Sequence, residues 1–116
     1  MNPNRESEFP YSLKTVMPMA ALADGDIAAC QVDGVELLIC RVRGSYYAVS
    51  NRCSHANQAL SGGKLRGHAI SCPLHGARFD VRTGECLAAP ATLPIKSFPV
   101  TLEGGKVLVA LEDGNR

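Results

Sequence analysis

Two short stretches of this 116-residue chain hold the side chains best suited to chemistry. Cys53-Ser54-His55 is followed by sixteen residues and then by Cys72-Pro73-Leu74-His75-Gly76. Each stretch offers one thiolate and one imidazole, so together they present four soft or borderline metal ligands with a formal symmetry. The plain alternative is two buried cysteines and two surface histidines, but a repeated Cys/His pair flanked by turn residues favours metal. The chain has five cysteines, an odd number far below the density of a disulfide scaffold, so at least one thiol stays unpaired or binds something. Met1-Asn2-Pro3-Asn4-Arg5-Glu6 contains no hydrophobic run for export, which points to the cytoplasm. Thiols stay reduced there, and clustered ones are read first as metal ligands.

Two metals compete. A single zinc ion would take all four residues as Cys₂His₂, but zinc pairs are usually spaced C-x₂₋₄-C and H-x₃₋₅-H so that both ligands reach one ion. Cys53-x-His55 leaves one intervening residue and fits that rule poorly. A [2Fe–2S] cluster with split ligation removes the difficulty, because each stretch then sends its cysteine to one iron and its histidine to the other. The Rieske centre has that ligand set.

The pattern C-x-H-x₁₆-C-x₂-H-G resembles that of the Rieske ferredoxins. The resemblance implies one Rieske-type [2Fe–2S] cluster, with Cys53 and Cys72 on the inner iron and His55 and His75 on the outer, solvent-facing one. Pro73 and Gly76 match the rigid turn beside the second pair, Pro73 by fixing φ and Gly76 by allowing close backbone approach. The ligand choice has an electrostatic consequence. An oxidised 2+ core with two thiolates and two neutral imidazoles sums to zero, whereas four thiolates would leave a dianion. An electron is added more easily to the neutral site, so histidine ligation raises the reduction potential. Loss of imidazole protons at high pH couples that potential to pH.

The respiratory and photosynthetic branch of the family joins its two loops by a disulfide. The corresponding positions here are Gln58 and Leu74. That branch also places serine and tyrosine hydroxyls on the cluster sulfurs, where this chain has Ala77 and Phe79. Donors to sulfur stabilise the reduced state, so their absence lowers the potential. The resemblance is therefore to the low-potential ferredoxin components of bacterial aromatic-ring-hydroxylating dioxygenase systems.

Other tempting residues have simpler readings. His68 sits beside the Arg66-Gly67 turn and is expected to be exposed. Cys30, Cys40 and Cys86 are scattered and read as small buried hydrophobes. Tyr46 and Tyr47 alternate on one strand, one inward and one outward. Residues 51–86 carry five cations against two carboxylates, a side-chain sum of +3 that reads as a solvated, docking-competent surface.

The elements that must position these residues are β-strands. Gly and Pro together number 18, and turn pairs recur at short intervals. Asp33-Gly34 separates Ile27–Val32 from Val35–Val42, Arg43-Gly44 leads into Ser45–Val49, and Gly104-Gly105 joins Phe98–Leu102 to Lys106–Leu111. Met19–Ala23 allows one helical turn. Residues 1–11 read as a flexible tail and 12–113 as a single Rieske domain. Its base comprises 12–49 and 91–113, interrupted by a cluster-binding subdomain at 50–90. The expected fold is all-β, a Rieske-like antiparallel β-sandwich or small barrel with an inserted two-loop subdomain. Apolar residues make up 46% and charged residues 20%, with net charge +1, which argues against disorder and against a nucleic-acid binder. The longest apolar stretch, Val16 to Ala23, is broken by Pro18 and is far short of the about 20 residues a membrane span needs.

The chain does not read as an enzyme. A non-haem oxygenase iron needs two histidines and a carboxylate, and with His55 and His75 committed only His68 remains. No G-x-G-x-x-G is present for a dinucleotide. The resemblance instead implies a monomeric electron carrier, passing one electron from a flavoprotein NAD(P)H-ferredoxin reductase to a terminal ring-hydroxylating oxygenase. Its docking face would centre on His55, Leu74 and His75, with Leu60 and Pro90 as apolar neighbours. The alternatives are the small subunit of an assimilatory nitrite reductase and, from another class, a structural Cys₂His₂ zinc module.

Overall fold

The computed structural model describes residues 11–54, 58–74, 76–88 and 93–112. The chain begins with β1 (Tyr11–Pro18), turns through a single 3₁₀ turn at Met19–Ala21, and enters a three-stranded meander of β2 (Ile27–Val32), β3 (Val35–Val42) and β4 (Ser45–Ser50). Asp33-Gly34 and Arg43-Gly44 make the two hairpins. All four residues have positive φ (53°, 80°, 52° and 83°), the tight-turn geometry whose twist matches that of the flanking strands. Tyr11, read from sequence as the end of the tail, pairs with Glu112.

Between Ser50 and the return to the base lie a second 3₁₀ turn at Leu60–Gly62 and four three-residue strands: β5 (Lys64–Arg66), β6 (Ala69–Ser71), β7 (Arg78–Asp80) and β8 (Cys86–Ala88). These form their own antiparallel sheet in chain order. The sequence reading had only loops there, because three residues are too few for a period-2 pattern to register.

The chain returns through β9 (Ser97–Phe98), β10 (Val100–Glu103) and β11 (Lys106–Glu112). The expected single strand Phe98–Leu102 is cut at Pro99, which has no N–H for a ladder. Phe98 pairs with Ala48 of β4, whereas Val100 pairs with Val109 of β11, so the chain changes sheet at the proline. The Pro99 carbonyl accepts the Ala110 N–H at 3.0 Å. Leu102 of β10 is 45% exposed.

Three antiparallel sheets result, ordered β1-β11-β10, β2-β3-β4-β9 and β5-β6-β7-β8, and no closed barrel forms among the described residues. The second sheet lies between two cores. Leu37 and Ile39 of β3, with Tyr46 and Ala48 of β4, pack with Val107, Val109 and Leu111 of β11. Leu38, Cys40 and Val42 of β3, with Val49 of β4, pack with Leu60, Ile70, Phe79 and Val81. Burial on both faces explains the unbroken apolar run of β3. It also corrects the reading of the tyrosines: Tyr46 is buried in one core and Tyr47 packs against the other, so neither points simply to solvent. The Tyr46 hydroxyl donates to the Met19 carbonyl at 2.9 Å, fixing the first 3₁₀ turn to the base.

Candidate metal centre

Loop 1 leaves β4 through Asn51, whose buried carboxamide fixes the stem. Its Oδ1 accepts the Ser61 N–H at 2.8 Å, its Nδ2 donates to Ser61 Oγ at 3.3 Å, and its carbonyl accepts the Leu60 N–H at 3.2 Å. Arg52 and Ala59 bridge as an isolated antiparallel pair. Inside that stem the Cys53 N–H donates to the Gln58 carbonyl at 2.9 Å. Loop 2 repeats the device: the Cys72 N–H donates to the Ala77 carbonyl at 2.6 Å. In both loops the cysteine amide is tied to the carbonyl five residues on, so each thiol leaves a fixed stem. Gly76 donates to the Cys72 carbonyl at 3.1 Å and has φ +78°. A Cβ there would meet no protein atom within 4 Å, and the positive φ by itself favours glycine.

Cys53 and Cys72 are 4% and 2% exposed and belong to one apolar cluster with Leu60, Ile70, Ala77 and Phe79. None of the five cysteines is in a disulfide, so no such bond joins the loops. Two buried, unbridged sulfurs within a single apolar cluster are donors suited to a thiophilic metal group. His55 and His75 lie outside the described residues, as does Pro90. Ala77 and Phe79 are fully buried, and neither carries a hydroxyl. Leu74 is 51% exposed, as a docking residue must be, but Leu60 is fully buried. Leu60 is thus a core residue under loop 1 and not the surface neighbour expected.

Of the other cysteines, Cys40 lies in the same apolar cluster and Cys86 packs against it, while Cys30 packs against the opposite core. Cys40 is fully buried on β3, and burial pushes its thiol pKa up to about 12. Cys30 is half-buried against the opposite core, its pKa also raised by desolvation. Cys86 is half-buried on β8 beside Phe79, and its Sγ lies 3.7 Å from the Ala88 carbonyl. Their pattern is that of packing residues. His68, expected to be exposed, is half-buried and packs edge-on against Tyr47, with ring centroids 5.6 Å apart.

Sequence reasoning missed the turn after β7. Asp80 is buried and takes Nε of Arg82 at 3.0 Å and Nη2 at 2.9 Å. Those bonds hold its carboxyl below the usual carboxylate range, against an opposing desolvation. The signal was present as Asp80-x-Arg82-Thr83-Gly84, a turn sequence with an internal ion pair. The +3 segment is also partly neutralised from outside, because Arg52 pairs with Glu36 of β3 at 3.1 Å; the Arg82–Asp80 pair lies within the segment and is already counted in its sum. Among the described residues Lys64, Arg66 and Arg78 form no ion pair. No helix among them is long and apolar enough to cross a membrane.

This three-sheet architecture, with a buried cysteine at the stem of each of two loops, is that of a known family. Residues 12–99 match the Rieske [2Fe-2S] domain, and the chain belongs to that family. Its cofactor is accordingly a Rieske-type [2Fe–2S] cluster. The chain is 44% identical over 90 residues to the ferredoxin component of the naphthalene 1,2-dioxygenase system of Pseudomonas aeruginosa, covering 78% of this chain and 86% of the relative. Among solved structures it resembles the ferredoxin of carbazole 1,9a-dioxygenase from Nocardioides aromaticivorans IC177, with TM-score 0.82 and 40% identity over 84% of this chain and 96% of that one. It also resembles a chain in the complex of reduced oxygenase and oxidized ferredoxin in carbazole 1,9a-dioxygenase, with TM-score 0.81 and 33% identity over 90% and 97% of the two chains.

Proposed function

We propose that this chain is the ferredoxin of a ring-hydroxylating dioxygenase system, an electron carrier and not a catalytic subunit. Cys53 and Cys72 hold the inner iron of its cluster, and His55 and His75 hold the outer iron. When bound, the cluster takes up and gives back one electron. The observation that carries the reading is the pair of buried, unbridged thiols, each leaving a stem closed by the same amide-to-carbonyl bond, within one apolar cluster. The domain runs from Tyr11, the first residue of β1, to 113, with the cluster subdomain at 50–90 set into the base. The carrier works as a cytoplasmic monomer between a flavoprotein NAD(P)H reductase and a terminal oxygenase, the class of partner found with ferredoxin in the carbazole dioxygenase complex.

A carrier must bind and release both partners, so its interfaces are small and short-lived. Leu74, half-exposed on loop 2 two residues beyond Cys72, supplies apolar contact at the loop tips. Two measurements test the reading. Metal and sulfide analysis should give two iron and two labile sulfide per chain, lost in His55→Ala and His75→Ala; one zinc and no iron overturns it. Reductase-coupled reduction should slow in Leu74→Glu with a full cluster and stay unchanged in Glu103→Gln on β10. An unaltered rate in Leu74→Glu removes the loop tips as the docking site.

A further inference from the structure

No disulfide joins the two loops, yet a cluster held between them requires that they keep one separation. The structure contains a chain of bonds that links them by another route. Ser54, directly after Cys53, donates its hydroxyl to the Leu93 carbonyl, which belongs to the segment returning to the base. Two residues on, Ile95 is buried in the core beneath the loops, and its N–H donates to the Gly84 carbonyl at 2.9 Å. Gly84 lies in the turn that follows loop 2 and β7, and its own N–H donates to the Asp80 carbonyl at 2.6 Å. Asp80 is in turn fixed by Arg82. The contact at Gly84 admits no side chain: its φ is +83°, and a Cβ would lie 2.0 Å from the Ile95 carbonyl oxygen.

We propose that the segment at Leu93 to Ile95 is a brace between the loops. Ser54 and Gly84 are its two attachment points and act as positioning residues for the cluster. Their role is to hold the Cys53 stem at a fixed distance from the Cys72 stem, a task for which this chain has no covalent link. The inference rests on the proposed ligand set only for its spectroscopic readout; the bonds themselves exist whatever the loops bind. Leu93 is 64% exposed, so its side chain does not anchor the segment, and the Ser54 hydroxyl bond at its backbone does. A serine directly after a ligating cysteine is a short lever, so loosening it acts on the Cys53 stem first.

The test compares Ser54→Ala, Ser54→Thr and Gly84→Ala with Tyr46→Phe in the holoprotein. Tyr46→Phe deletes a hydroxyl-to-carbonyl bond of the same kind on the opposite core, so it controls for a general loss of stability. Cluster loss to a chelator should be about fivefold faster in Ser54→Ala, the factor for one hydrogen bond worth about 1 kcal/mol. Its electron paramagnetic resonance signal should shift, and Ser54→Thr should restore both. Gly84→Ala should show the larger effect, and Tyr46→Phe neither. Hydrogen exchange read by mass spectrometry gives a second readout that needs no assumption about the metal. Peptides covering 51–54 and 93–96 should exchange several-fold faster in Ser54→Ala, with β2 and β3 unchanged. Wild-type exchange and wild-type cluster loss in Ser54→Ala overturn the brace, as does an equal effect in Tyr46→Phe. A chain that holds no iron but shows the local exchange change keeps the brace and sinks the ligand assignment.

Discussion

The base sheets and the cluster sheet solve the same problem, burying apolar side chains between strands, with very different means. The strands β1, β3 and β11 have eight, eight and seven residues, and β3 alone carries five buried side chains. The strands β5 to β8 have three each. Strand ladders of that length are marginal on their own. The cluster sheet compensates by borrowing one face of β3 and β4 for its core and by fixing its connections through side-chain and turn hydrogen bonds at Asn51, Asp80 and Gly84. The base therefore has stability independent of the metal. The cluster sheet draws its core from the base beneath it, and a metal group held by the proposed ligands would add to its order.

The sharpest way to break that comparison is to remove a sulfur. Cys72→Ala should abolish cluster binding outright and leave the β5–β8 sheet exchanging its amides freely. The base should keep protection in β3 and β11, because the core of Leu37, Ile39, Val107 and Val109 does not involve the loops. Hydrogen exchange by peptide reads both outcomes in one experiment. Equal loss of protection in base and cluster sheet would show a single cooperative unit and end the distinction.

A smaller effect separates the two cores. Phe79 is the largest fully buried side chain and sits in the core under the loops, while Leu37 sits in the opposite one. Phe79→Ala should cost about 3–5 kcal/mol and Leu37→Ala about 2–5 kcal/mol of stability, the range for large-to-small changes in packed cores. The costs overlap, so the cluster signal discriminates. Phe79→Ala should perturb the visible spectrum and speed iron loss, whereas Leu37→Ala should lower the denaturant midpoint with the spectrum unchanged. Spectra that change alike in both variants would mean that the two cores are not separable.

The same contrast explains what the sequence made legible. The hairpins at Asp33-Gly34 and Arg43-Gly44 were readable because strand patterns of six or more residues flank residue pairs suited to tight turns. Cys53 and Cys72 stood out as candidates because metal ligands must be particular residue types at short spacing, and both are buried in one cluster. The β5–β8 sheet was not, since three residues hold no period. Leu60 was misplaced because a leucine followed by Ser61-Gly62-Gly63 looks like a loop residue until the 3₁₀ turn directs it inward. The two-sided burial of β3 and β4 misled the reading of Tyr46 and Tyr47, because alternation assigns an outside that this middle sheet does not have. The bonds from Ser54 to Leu93 and from Gly84 to Ile95 span 39 and 11 positions and follow from the fold alone.

The smallest expected effect falls at the junction itself. Arg52, one residue before Cys53, pairs with Glu36 of β3 at 3.1 Å and is the ion pair that ties the loop 1 stem to the base. Both side chains are about half exposed, at 52% and 48%. Water and salt screen such a pair, and exposed pairs are worth about 0–1 kcal/mol. The Asn51 bonds to Ser61 are partly buried and hold the same stem from its other side. Arg52→Ala should therefore shift the denaturant midpoint slightly at low salt and not at all at high salt, with cluster content and cluster loss rate unchanged. Asn51→Ala should exceed it at every salt concentration, because it leaves the Ser61 amide without its acceptor. If Arg52→Ala instead accelerates cluster loss at low salt, and the effect fades at high salt, the stem depends on a surface charge and not on the buried carboxamide. The division between a metal-independent base and a stem fixed by buried polar bonds would then have to be redrawn at that residue.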